Sequence, residues 1–158
     1  MSDNNYDFTY KLIKGKIAEI IFEMMFRHAG KYKLLHFGYE YNFPELVTKN
    51  IHNHDNDEVL KSISTAPDFI EVDENDKVKL VEVKYRAELD GENYKEIAEK
   101  LLEKWPEAWL FIATKNKFLF DSVKEIVARD GFVQQLSTSI VAQEDQERYL
   151  DILHKFNL

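Results

Sequence analysis

The chain of 158 residues contains no cysteine, which excludes a disulfide framework, a cysteine zinc site and every thiol nucleophile. Long apolar runs are missing as well. The longest, such as residues 20–22 and 110–113, fall far short of the roughly 20 residues a membrane helix needs. The opening stretch MSDNNYDF lacks a basic-then-apolar signal pattern, so we expect a cytoplasmic protein with no membrane partner. There is no basic excess either: the formal net charge is −8, and residues 51–103 alone carry −8 of it. Such a cluster is either a solvated face that repels phosphate or partly a cation site. No helix-turn-helix, zinc-finger or oligonucleotide-binding pattern is visible to supply recognition. What the chain does have is 44% hydrophobic and 13% aromatic residues, enough for one core, and we expect a single domain over residues 1–158.

Ile13, Ile17, Ile20, Ile21, Met24 and Met25 recur at helical spacing and predict a helix over 10–28, stopped by Gly30. A strand is expected over 33–41, then a polar segment over 44–64 that includes NIHNHDNDE. Residues 68–72 and 78–85 read as a hairpin around DENDK, the second strand apolar on both faces and therefore central. A charged amphipathic helix over 92–105, ended by Pro106, leads to a buried strand WLFIAT at 109–114. That unit predicts a right-handed crossover between parallel strands in a mixed sheet. Further along, Asp121 is expected to cap a helix running to about Arg129 and ended by Gly131. Residues 132–140 would be an edge strand, and 144–156 a last helix.

Residues two apart in a strand share a face, so Glu82 and Lys84 point one way while Val81, Val83 and Tyr85 point the other. The hairpin partner can bring Asp68 to Glu82. Two carboxylates with the carbonyl of Val83 between them make an oxygen site suited to Mg²⁺ or Mn²⁺. Beside it, the ammonium of Lys84 can orient or deprotonate a water and offset charge. The ordinary readings stand alongside: Asp68 as a turn acid, Glu82 and Lys84 as an exposed same-face pair, Glu19 as a helix salt-bridge residue with Lys16 and Glu23. His52 and His54 fit a polar loop, and Lys115 and Lys117 fit a solvated loop or phosphate contacts. Trp105, Trp109, Phe111, Phe118 and Phe120 read as core.

Pro67-Asp68 followed by Glu82-Val83-Lys84 resembles the signature of the PD-(D/E)xK nuclease superfamily, the restriction-endonuclease-like fold. The resemblance covers roughly residues 10–115 and implies an α/β fold with the order helix, three antiparallel strands, helix, fourth strand, here with extra C-terminal helices. Gly15-Lys16-Ile17-Ala18-Glu19 is similar to the Gly-x-x-x-Glu helix pattern of many members. By that resemblance Asp68, Glu82 and the Val83 carbonyl would hold Mg²⁺ or Mn²⁺, Glu19 would assist, and Lys84 would be the catalytic lysine. Tyr94 and Lys95 lie where some members carry Gln or Tyr on the next helix. The implied activity is metal-dependent phosphodiester hydrolysis by attack of an activated water, with nucleic acid, DNA first, as substrate. A homodimer or protein partner would supply grip that the acidic balance withholds. The alternative is a non-cleaving binding or assembly module within a larger nucleic-acid-processing complex.

Overall fold

The computed structural model describes residues 3–38 and 64–156. Helix α1 (Asp3–Ala29) ends where Gly30 adopts a left-handed φ of 74°, a conformation open to glycine without a Cβ penalty. Strand β1 (Lys33–His36) follows. Strands β2 (Phe69–Val72) and β3 (Val78–Tyr85) flank a turn in which Asp73 accepts hydrogen bonds from the N–H groups of Asn75 (2.8 Å) and Lys77 (3.0 Å). Helix α2 (Gly91–Lys104), capped by the Asp90 side chain, leads to β4 (Ala108–Ala113). Then come β5 (Phe118–Ser122), α3 (Val123–Ala128) and α4 (Gln143–Lys155).

The strands form one mixed sheet in the order β1-β2-β3-β4-β5, antiparallel at every junction except the parallel pair β3–β4. Strand β3 is therefore central, with Val81, Val83 and Tyr85 buried on one face and Leu80, Glu82 and Lys84 half-buried on the other. On one face, Phe22, Met25 and Phe26 of α1 and Leu153 of α4 share a core with Phe69, Val81, Val83 and Phe111. On the other, Tyr94, Ala98 and Leu101 of α2 and Ile126 of α3 pack with Leu110 and Ile112. Gly131, at φ 95°, lies so close to Gly91 that an added Cβ would stand 2.0 Å from the Gly91 carbonyl oxygen. That contact docks the end of α3 against the start of α2. Among the described residues, no helix is long and apolar enough to cross a membrane.

Several expectations change. Helix α1 starts a full two turns before the apolar period does, and residues 5–13 are all exposed. Strand β1 stops at His36, and residues 39–41 of the expected strand lie outside the described residues, as does most of 44–64 with His52 and His54. Asp121 is not a cap: it is a buried residue of β5, and Ser122 caps α3 by accepting from Glu125 N–H. The strand β5 itself had no counterpart in the sequence reading. Residues 132–140 make a single bridge, Leu119–Gln135, and form no edge strand.

Candidate functional site

Strands β2 and β3 run together only as far as the pair Phe69–Val81, whereas β3 stays paired with β4 through Tyr85–Ala113. Residues Glu82 to Tyr85 therefore have no β2 neighbour. A cleft of about 740 Å³ lies there, lined by Asp68, Glu82, Val83, Lys84 and, from α1, Glu19. All five residues singled out from the sequence thus border one space.

Asp68 is held at both ends. Its backbone carbonyl accepts from the N–H groups of Phe37 (2.9 Å) and Gly38 (3.2 Å), and its Oδ2 accepts from Val83 N–H at 2.8 Å. Backbone groups of alternate strand residues point to opposite neighbours. Arg86 N–H donates to Ala113 on β4, so the odd residue Val83 turns both its N–H and its carbonyl toward the cleft side. Glu82 Oε1 meets Lys84 Nζ at 2.6 Å, and Glu19 Oε2 meets Lys16 Nζ at 3.1 Å.

Burial is the largest influence on these groups, and their mutual charge is the next. Desolvation, with Glu82 adding to it, pushes Asp68 up to about 7 against the opposing Val83 N–H, Lys84 and Lys16. Burial also raises Glu82; Lys84 works against the rise and Glu19 adds to it. For Lys84, burial alone would lower the pKa, but Glu82 and Asp68 outweigh it and hold the ammonium above its usual range. Lys84 is therefore a proton-bearing cation at neutral pH, which favours orientation and charge compensation over deprotonation.

Among the described residues, no three His, Asp or Glu side chains gather into a metal-holding group. The carboxylates instead rest on neighbouring lysines and an amide. Their chemistry still suits a hard divalent cation: oxygen donors, raised in pKa chiefly by burial and further by one another's charge. By donor type, Asp68, Glu82 and the Val83 carbonyl fit such an ion, with Glu19 beside them.

Tyr94 is turned into the α2 core, its hydroxyl donating to the Glu88 carbonyl at 3.0 Å, and Lys95 pairs with Asp130 at 2.6 Å. Neither lines the cleft. Lys115 and Lys117 border a separate hollow beside Ala87 and Glu88. The sequence reading missed other residues of the cleft, among them Lys11, Lys14, Tyr85 and Arg86. Lys11 lies one turn before Gly15 on α1, whereas Lys14 stands well round the helix from Glu19. Helical spacing from Gly15 was a signal for Lys11 and gave none for Lys14.

The chain matches no protein-family model, and no curated protein matches it.

Proposed function

We propose that this protein hydrolyses phosphodiester bonds in nucleic acid, DNA first, with Mg²⁺ or Mn²⁺ held by Asp68 and Glu82 and assisted by Glu19 and the Val83 carbonyl. The observation that carries this reading is the meeting of Asp68, Glu82 and Lys84 in one cleft where β2 leaves β3. The order helix, three antiparallel strands, helix, parallel strand supports a restriction-endonuclease-like core, with β5, α3 and α4 as additions. A bound divalent cation supplies Lewis acidity toward phosphate and water. The chain's own residues do the rest. Lys84, kept protonated, donates to the reacting oxygens and offsets charge as it builds on phosphorus. Val83 N–H fixes the Asp68 carboxylate, so that its second oxygen faces the reaction with little reorganisation.

One observation favours a second reading, a non-cleaving nucleic-acid-associated module. Glu82, Glu19 and Asp68 are already compensated by Lys84, Lys16 and an amide, so the cluster can exist without a cation.

Incubation with single-stranded, duplex, branched and RNA substrates in Mn²⁺, Mg²⁺ or EDTA separates the two. Cleavage is expected only with metal and is lost in both Glu82→Ala and Lys84→Ala. Calorimetry should show Mn²⁺ binding lost in Glu82→Ala and largely kept in Lys84→Ala, because only the first removes a ligand. Absence of metal-dependent cutting across the panel, or normal cutting by both variants, would overturn the nuclease reading.

A further inference from the structure

Five cations line the cleft, and four of them are engaged within the protein. Lys84 is bound to Glu82 and Lys16 to Glu19. Lys11 pairs with Asp7 at 3.0 Å, and Arg86 donates to Asn93 and to the Tyr85 carbonyl, each at 2.7 Å. Lys14 differs. Among the described residues it has no carboxylate partner; its Nζ lies 4.2 Å from the centre of the Tyr10 ring and 5.4 Å from that of Tyr85. Phenol faces steer an ammonium and hold it, but they leave its charge without a counterion.

Tyr85 supplies the second, independent observation. It is only 8% exposed and lines the same cleft, and its hydroxyl is buried with no hydrogen-bond partner among the described residues. Buried hydroxyls are nearly always satisfied, and an orphan calls for a missing partner. The partner has to be an acceptor or a donor that the protein lacks at that point. Beside an uncompensated ammonium, an anionic oxygen satisfies both groups at once. Tyr85 directly follows Lys84 on β3 but faces the α1 layer. The pair Lys14–Tyr85 therefore borders the same cleft from the face of β3 opposite to Glu82 and Lys84. The side chains beside it, Tyr10 and Lys14, belong to the first half of α1, where residues 5–13 are exposed. An arriving ligand has only side chains to displace.

We propose that Lys14 and the Tyr85 hydroxyl form a second phosphate subsite that grips the nucleic-acid backbone beside the phosphate held at Asp68, Glu82 and Lys84. The subsite rests on the reading of the cleft as a phosphodiester site, and it makes Lys14 and Tyr85 positioning residues for the same strand. An isolated mononucleotide phosphate would fill one subsite, whereas an oligonucleotide fills both.

The test measures fluorescence anisotropy of a fluorescein-labelled single-stranded oligonucleotide in EDTA, where nothing is cut, over a KCl series. Tyr85→Phe removes only the hydroxyl. It should weaken binding about three- to tenfold, the scale of one net hydrogen bond, while its melting temperature stays level or rises, because no internal hydrogen bond is lost. Lys14→Gln should weaken binding comparably and lower the magnitude of the salt slope by about 0.7, one single-strand phosphate contact. Lys100→Gln, which breaks an exposed pair with Glu96 on α2, serves as control and should change neither. Wild-type affinity in Tyr85→Phe, or a lowered melting temperature that accompanies its weaker binding, overturns the subsite. Cleavage assays report separately: a protein that never cuts yet loses binding in Tyr85→Phe sinks the nuclease reading and leaves the subsite standing.

Discussion

At the scale of single residues, Glu71 and Asp68 both rise in pKa to about 7, and of these two only Asp68 belongs to the cleft. Burial pushes Glu71 up to about 7, with Lys79 opposing. Among the described residues its oxygens have no hydrogen bond, since Lys79 Nζ is 3.8 Å away and lies over the Trp109 ring. Asp68 rises to about 7 by burial and the charge of Glu82. A carboxyl whose folded pKa exceeds its unfolded value keeps its proton longer in the folded state, so stability falls as pH rises between the two values. For both groups that window runs from about 4 to about 7. We expect thermal melts to show wild type losing stability across it. Glu71→Gln and Asp68→Asn should each flatten the loss and melt higher than wild type at pH 8, by about 1–3 kcal/mol in ΔG. Mn²⁺ tells them apart. It should stabilise wild type and Glu71→Gln alike, by about 2.7 kcal/mol at a hundredfold excess over Kd, and Asp68→Asn much less. Equal Mn²⁺ shifts in all three would place the cation elsewhere. Glu82 and Lys84 were legible in the sequence because strand alternation assigns them one face, and Asp68 because the hairpin brings it beside them. Lys14 and Tyr85 were not, because their meeting depends on how α1 crosses β3, and no local period encodes that.

At the scale of elements, the clearest departures from the sequence reading lie after β4. Asp121 resembles an N-cap, an acid just before an apolar helical stretch, yet it works as a buried clasp. Its Oδ1 accepts from Ser122 N–H (2.9 Å) and its Oδ2 from Gln134 N–H (3.2 Å), with Arg129 Nη2 3.3 Å away. One carboxylate thus ties β5, α3 and the segment beyond α3. Asp121→Ala strands those donors and is expected to cost about 2–4 kcal/mol in urea unfolding. Asp121→Asn should cost less, since it keeps an acceptor. The cleft lies at the other side of β4, so Mn²⁺ affinity of the folded Asp121→Ala protein should match wild type, and a loss of both together would mean the two regions are coupled. The β5 stretch FLFDS hid for a physical reason. It is buried on both faces and only five residues long, so it shows neither alternation nor a helical period. The hairpin and α2 were readable because a break signal bounds each, the DENDK turn and Pro106. The stretch 132–140 shows the converse. Val133 and Leu136 are buried at a spacing of three, and Phe132 is exposed, which strand alternation does not produce.

At the scale of the whole molecule, net charge and local charge point in opposite directions. The chain is at −8, with the excess in residues 51–103, and it should repel a polyanion at distances up to about 8 Å in physiological salt. Within the cleft, Lys11, Lys14, Lys16, Lys84 and Arg86 face Glu19, Asp68 and Glu82, so attraction exists only at contact and is partly cancelled by the acids. Metal-free wild type should therefore bind generic duplex DNA weakly and with a steep salt dependence. A divalent cation that fills the acid cluster removes the cancellation. Ca²⁺, which takes the same oxygen donors and often supports binding with little chemistry, should tighten oligonucleotide binding by wild type. Glu82→Gln should behave differently on two counts. It removes one opposing charge and releases Lys84 from its 2.6 Å partner, so without metal it should bind more tightly than wild type, and Ca²⁺ should add little. Anisotropy titrations of both proteins at physiological salt, in EDTA and in Ca²⁺, measure all four affinities. Tight binding by wild type in EDTA, or a Ca²⁺ effect of the same size in Glu82→Gln, would show that grip comes from outside this cleft and that its acids do not govern it.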